Sequence, residues 1–479
     1  MTVAMTGTQA GRNDESREKI TSVVLVGFGA IGRALMPILL AKMAPDVAFV
    51  AIDPLGAADD ILRDYGPRIT YRKTRVTRAN YRELLQPLLG PHAFVLNLTT
   101  GVASLALIAL CQETDTLYLD TCIEPWWGGY LDAATQNRVT NYALRKEVLD
   151  ARPHRSGKRT AIIAHGANPG LISHFAKAAL LEMAARACMP DEAPVRQEAW
   201  AKLARDLGVK VMQVAERDTQ QTSDDVPLRT FLNTWSVTGL LEEMNQPAEF
   251  GLGTHETMLP DTVLVQGGEG SAAHFTVSGA DVKVKSWMPQ GPYVGMLITH
   301  NESISLADYL TCRAPGERVY RPTVYYAYRP CDATMTSIHE WRDQACQNPD
   351  RTHVLKPEGI ISGKDYLGIL IMAENGENIW YGSILDIEDA KAIMPFNTAT
   401  TLQVAAGVYG GMVWAIDHPS AGIVEAENMD HEEVLAVAKP FLGIVRGFDT
   451  DWGPHADDAH ALPPADVVKR SLQLRDFLV

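Results

Sequence analysis

One hexapeptide, Gly27-Phe28-Gly29-Ala30-Ile31-Gly32, limits what this chain can fold into more than any other segment. It follows an apolar run at 22–26 and opens a helical pattern at 30–43. Asp53 stands just after the next apolar run, 21 positions beyond Gly32. Gly27 permits a tight turn, Gly29 lets the backbone approach a pyrophosphate, and Gly32 allows close helix–sheet packing. Ala30 and Ile31 begin a helix whose N-terminus offers amide donors and a positive dipole end to the phosphates. Asp53 would accept hydrogen bonds from the adenosine ribose and repel a 2′-phosphate, and Pro54-Leu55 brings no arginine to hold one. The pattern predicts a bound dinucleotide, with NAD favoured over NADP.

Further short apolar runs at 48–52, 69–72, 93–96, 116–120 and 160–164 alternate with helical patterns at 103–112, at 135–151 and from about Leu171. This rhythm predicts an α/β fold, a Rossmann-type doubly wound parallel sheet. Asn97-Leu98-Thr99-Thr100-Gly101 and Asp120-Thr121 follow the fourth and fifth strands. They fall at the carboxyl ends of the strands, where such sheets bind ligands, so Asn97, Thr99, Thr100, Asp120 and Thr121 join the candidate cofactor site. Beyond about Pro190 the texture changes. Candidate strands at 209–214, 230–236, 294–299, 323–328 and 367–372 predict a second, α+β domain on one mixed or antiparallel sheet. Asn375-Gly376 between two apolar runs signals a hairpin with a type I′ turn. The reading is a flexible tail over 1–19, an NAD-binding Rossmann domain over 20–170 and a substrate-binding and dimerisation domain over 171–390. A helical part over 391–479 is expected to pack back on the first domain.

A net charge of −15 over 479 residues argues against nucleic acid, which wants clustered Lys and Arg, and suits a cationic ligand. The six cysteines form no CxxC pair, and no HExxH-like cluster suggests a metal. Free thiols in a reducing cytoplasm are the expectation. The first nineteen residues lack the apolar centre of a signal peptide. The uncharged run 392–416 carries a proline, threonines and glycines, which makes it a poor membrane span and a good buried helix.

Three segments carry a resemblance: Tyr118-Leu-Asp-Thr-Cys-Ile-Glu-Pro-Trp126, His165-Gly-Ala-Asn-Pro-Gly-Leu-Ile-Ser-His174 and Ala215-Glu-Arg-Asp-Thr-Gln220. Asn233-Thr-Trp-Ser236 and Thr299-His-Asn-Glu302 join them. Over roughly residues 20 to 415 the chain resembles the bacterial homospermidine synthases, within the wider saccharopine dehydrogenase-like group. The resemblance implies that two putrescine molecules become homospermidine and ammonia through imines, with spermidine as a possible aminobutyl donor. NAD then accepts a hydride and returns it. It also implies a homodimer. A diammonium substrate needs carboxylates, and the candidates are Glu124, Glu216, Asp218, Glu243, Glu302 and Asp365. Glu124 and Glu216 stand out, because each lies at or just beyond a strand end. Trp235, read as part of a strand, would offer an indole face to an ammonium or iminium ion. The resemblance places it at the substrate. It likewise implies that Asn168 contacts substrate or nicotinamide, and that His300 and Glu302 belong to the site, His300 as a proton relay. Asp365 is carried over from a less tightly matched segment.

Two rival readings differ in chemistry. A reductive-amination dehydrogenase acting on saccharopine-like or carboxynorspermidine-like substrates needs Arg or Lys for a substrate carboxylate, and the matched segments are rich in Glu and Asp instead, with Arg217 as their nearby base, flanked by acids. A silent NAD-binding redox sensor has no reason to combine Glu216, Trp235 and the segment ending at Glu302.

Overall fold

The protein is described from a computed structural model, which covers residues 19–56, 58–130, 139–152, 157–189, 193–224, 226–266, 271–313, 316, 318–347, 349–455 and 472–479. The expected N-terminal tail, apart from Lys19, lies outside the described residues, as does the start of the helix expected at 135–151.

The first sheet has seven parallel strands. In spatial order they are Ile69–Lys73, Ala48–Asp53, Ser22–Val26, Ala93–Asn97, Leu117–Asp120, Ala161–Ile162 and Ile423–Val424. The first six follow the doubly wound order 3-2-1-4-5-6, which leaves a crevice at the carboxyl ends where the order reverses. Ser22–Val26 pairs residue by residue with Ala93–Asn97, so Val26 lies beside Asn97. The three valines and the leucine of that central strand are buried, as expected where helices cover both faces.

The second sheet is mixed. Val209–Asp218 runs parallel to Thr323–Arg329 on one side and antiparallel to Lys364–Ala373 on the other. The sheet continues through Asn378–Asp386 to Ile444–Thr450, a strand inside the part expected to be helical. Two further expectations are corrected. The strand at 230–236 ends at Asn233 and pairs with Arg351–Val354 away from this sheet. Its polar end turns to begin the helix Val237–Asn245, capped by the Ser236 hydroxyl, which accepts from the Gly239 N–H. The hairpin at Asn375-Gly376 is present, but only Gly376 has positive φ, 83°, so the turn is not type I′. The Gly376 N–H donates to the Ala373 carbonyl instead.

The apolar run 392–416 forms the helix Ala399–Asp417, long and apolar enough to cross a membrane but mostly buried here. Thr398 caps it with a reciprocal bond to Thr401. It packs on Ala30–Lys42 and His431–Ala438, and its glycines let it press against the turn after Ile163. A β-carbon at Gly407 would run into the Gly166 carbonyl, and one at Gly411 would lie 2.8 Å from His165 Nδ1. Gly407→Ala should therefore destabilise the protein by about 1–3 kcal/mol through overpacking. Gly90→Ala, where a β-carbon meets nothing within 4 Å, serves as control in denaturant unfolding. Equal midpoints for the two variants would show that the contact is not tight.

Candidate active site

The crevice at the carboxyl ends of the first sheet opens into a cavity of about 390 Å³, within the range of small-molecule sites. At one end it is lined by Gly27, Gly29, Ala30, Ile31, Asp53, Asn97, Thr99, Thr100 and Thr121, all sequence candidates. Gly27 has φ +94°, and a β-carbon there would lie 2.8 Å from the Leu98 carbonyl oxygen. At Gly29 a β-carbon would meet nothing within 4 Å, so the backbone there is bare. The helix Ala30–Lys42 has no side-chain cap, which leaves its first N–H groups for a ligand. Gly32 lies off the wall and packs against Phe28, a β-carbon there being 3.2 Å from the ring. The Asp53 carboxylate accepts from the Phe28 N–H (2.8 Å) and the Leu55 N–H (2.7 Å) and still faces the cavity. These residues fit the diphosphate and ribose of a dinucleotide.

Asp120 is a correction. It is fully buried and off the cavity wall. Its carboxylate accepts from the Ala164 N–H (2.6 Å) and the Tyr118 hydroxyl (2.8 Å). An Asp at the end of a buried strand has backbone donors to satisfy, and here it fastens the next turn.

The other end of the cavity holds Glu124, Asn168, Glu216, Trp235, Glu243 and His300, brought together as the sequence suggested. Glu216 lies near the end of the buried strand Val209–Asp218, and its Oε2 accepts from Asn168 Nδ2 (2.6 Å) and from the Tyr326 hydroxyl (2.7 Å). Burial raises its acid well above the ordinary range, and the two donors only partly offset this. Trp235 sits in the bend before Val237–Asn245, not in a strand, and its Nε1–H donates to the Tyr328 hydroxyl at 3.1 Å. His300 lies 3.7 Å from Glu243, and its ring packs at 4.9 Å on Tyr326 with the planes tilted by 59°. Glu124 Oε2 accepts from the Gly101 N–H at 2.9 Å, while burial pushes its carboxyl up to about 8.

Three predicted substrate ligands lie behind the wall. Asp218 accepts from Gln220 and Thr234. Asp365 pairs opposite it across the antiparallel ladder and is wholly buried. Burial, then Glu216 and Asp218, raise the Asp365 acid. Glu302 is buried against the helix Leu171–Arg186, away from the cavity.

The sequence reading missed Tyr326, Glu242 and Arg75. The helix Val237–Asn245 and its next residue present Thr238, Gly239, Glu242, Glu243 and Gln246 to the cavity, a helical spacing that was legible in principle. Glu242 Oε2 is buried without a hydrogen-bond partner among the described residues, and burial raises its acid to about 7. Arg75 is the one Lys or Arg on the described wall, its guanidinium 5.9 Å from the Trp127 ring.

Because the folded-state acid of Glu124 lies above its ordinary 4.5, its contribution is fully present below that value and is lost as pH rises through about 8. Relative to Glu124→Gln, the ligand-free parent should lose stability between these limits, at up to about 1.4 kcal/mol per pH unit. Denaturant unfolding from pH 5 to 8 reads the difference, and parallel curves would refute it.

The saccharopine dehydrogenase NADP binding domain model matches residues 23–163, and the saccharopine dehydrogenase C-terminal domain model matches 166–448. The homospermidine synthase of Blastochloris viridis is 43% identical over 465 residues, 95% of this chain and 97% of that protein. That of Mesorhizobium japonicum is 40% identical over 468 residues, 95% of this chain and 96% of that protein. The structure of homospermidine synthase from Legionella pneumophila, in complex with NAD, superimposes with a TM-score of 0.87 at 39% identity, covering 96% of this chain and 99% of that one. With the family model covering the second domain and these relatives matching nearly end to end, the chain belongs to the homospermidine synthase family, within the saccharopine dehydrogenase-like group.

Proposed function

We propose that this enzyme joins two putrescine molecules, or putrescine and an aminobutyl group from spermidine, into homospermidine, releasing ammonia or 1,3-diaminopropane. The observation that carries the reading is the acidic end of the cavity. Glu124, Glu216, Glu242 and Glu243 line the cavity beside an indole, with Arg75 as the one Lys or Arg among the described lining residues. Such a wall attracts a diammonium ion and offers little to a substrate carboxylate, which disfavours the reductive-amination alternative. The redox-sensor alternative leaves these acids without a purpose.

Gly27, Gly29, Ala30, Ile31 and Asp53 would hold the cofactor. The family model's description names NADP; Asp53 on the ribose side favours NAD, as in the Legionella complex. NAD supplies reversible hydride acceptance at the amine carbon. Glu216, raised by burial, is suited to hold and release a proton near neutral pH, and Asn168 and Tyr326 orient it. Asp218, buried behind it, adds negative charge that favours a cation in front, while burial and the neighbouring acids hold Asp365 toward its neutral form. Trp235 adds a face for the charged imine. The six free cysteines support a reducing, cytoplasmic setting. Family likeness supports a homodimer, and the sheet-edge strand Val263–Val265, with Leu264 and Val265 half exposed, is a surface one could cover.

With putrescine deuterated at the oxidised carbon and NAD present, homospermidine should form without net reduced cofactor and should retain label. Label-free product, with label in released reduced cofactor, would remove the internal-redox reading; steady accumulation of reduced cofactor would favour a dehydrogenase.

Activity should fall in the order Trp235, Trp235→Phe, Trp235→Ala, with roughly tenfold loss or more for Ala. Tyr328→Phe breaks the same indole hydrogen bond while keeping the ring. Equal activity of the Phe and Ala variants, or an equal loss in Tyr328→Phe, would show that the ring face is not the operative feature.

A further inference from the structure

The helix Leu171–Arg186 begins without a cap of its own. Its N-cap residue is Gly170, which has no side chain, and Leu171 and Ile172 follow it. The missing acceptor comes from 132 positions away. Glu302 Oε1 accepts from the Gly170 N–H (3.1 Å), the Ser173 N–H (2.8 Å) and the Ser173 hydroxyl (2.5 Å). Negative charge or a carbonyl-like oxygen at a helix start satisfies orphan donors and suits the dipole.

What this cap holds is the turn that carries Asn168. On its entering side, Asp120 accepts from the Ala164 and His165 N–H groups through side chain and backbone. Within it, the Gly166 N–H donates to the Pro169 carbonyl at 2.6 Å. On its leaving side stands Glu302. Asn168 lies two residues before Gly170, and its amide donates to Glu216 at 2.6 Å. Glu302 itself is 1% exposed and off the cavity wall, whereas His300, two residues earlier, is on it. The segment Thr299-His-Asn-Glu302 therefore divides its work.

We propose that Glu302 is a positioning residue, not a substrate ligand: it caps Leu171–Arg186 and so fixes the turn that presents the Asn168 amide to Glu216. The proposal rests on the amine-coupling reading of the cavity. Acceptance, not charge, is what the cap requires. Burial and the neighbouring Glu427 push the Glu302 acid up to about 8, and its neutral form keeps the acceptor oxygen. A glutamine keeps that oxygen too; an aspartate keeps the charge but withdraws it by one methylene.

The test uses the full chain with Glu302→Gln, Glu302→Asp, Glu302→Ala, Asn168→Ala and the Asn168→Ala/Glu302→Ala pair, assayed for homospermidine formation from putrescine. Glu302→Gln should stay within about threefold of the parent. Glu302→Ala and Glu302→Asp should lower kcat by about tenfold or more, with KM for putrescine within about threefold, because small misplacements near the reacting groups are costly. In the Asn168→Ala background the Glu302→Ala change should cost no more than about twofold, since its route is already gone. A tenfold rise in KM for both Gln and Ala, with kcat kept, would make Glu302 a ligand and overturn the proposal. Equal loss in both Asn168 backgrounds would overturn it as well. Should the Ala protein fail to fold, Gln against Asp decides: an active Asp variant with an impaired Gln variant means that charge matters, and the cap account falls. Parent protein that makes no homospermidine sinks the reading of the cavity instead. Ligand-free unfolding midpoints, lowered by Ala and Asp but not by Gln, then still test the cap.

Discussion

The acids facing the central cavity are buried mainly among one another, and a cation from outside is what can relieve them. The contrast with Glu425 makes the point. Burial pushes that acid up as well, but Arg145 sits against it at 2.7 Å and holds it below the ordinary carboxylate range. Around Glu124, Glu216 and Glu242 no such guanidinium is placed among the described residues, and all three acids move up. A buried charge without a partner is expensive, and a protein keeps several together only where something compensates them. A diammonium substrate does so at both ends.

The fold that presents these acids is held together by other acids of the second domain. Glu249, in the strand Pro247–Gly251, accepts from the Asn141 N–H (2.8 Å) and the Tyr142 N–H (3.0 Å) at the start of Asn141–Asp150. Glu302 does the same for Leu171–Arg186. Both helices border the cavity, through Asn141 and through the turn with Asn168. One helix start of the nucleotide domain, at Asn141, and one of the second domain, at Leu171, are thus fastened by carboxylates of the second domain. The cleft between the domains is tied at its lining as well as by apolar packing.

This division explains what could be read in advance. The strands Ser22–Val26, Ala48–Asp53 and Ala93–Asn97 were legible because apolar runs, glycines and a terminal Asp follow local rules. The cofactor end was legible for the same reason. Trp235 was placed at the site but in the wrong element, because an apolar run Thr230–Asn233 continues smoothly into Trp235 while the cap that ends it, Ser236, is a three-residue signal. Asp120 was assigned to a ligand from its place at a strand end and Glu302 from the segment resemblance, because an acid in the sequence looks the same whether it meets substrate or backbone N–H groups. Only tertiary contacts over 44 and 129 positions separate the two. Tyr326 was invisible because its hydroxyl meets Glu216 across 110 positions.

The same crowding bears on the chemistry proposed here. Imine formation, transfer and reduction each move a proton, and the most useful acid–base group titrates near the working pH. An exposed glutamate is almost wholly ionised at neutrality and gives a proton poorly. Glu216 is shifted upward chiefly by burial, with Asp218 among the groups adding to it, while the Asn168 amide and the Tyr326 hydroxyl hold the shift in check. Arrival of an ammonium ion lowers it again and favours loss of the proton; departure of the charge restores it. On that account the protonation state of Glu216 follows the charge of what is bound, so one carboxyl can serve as base toward an amine and as acid toward the leaving nitrogen. The positioning of Asn168 then matters beyond geometry, because its single hydrogen bond helps set where between those two states the resting enzyme lies.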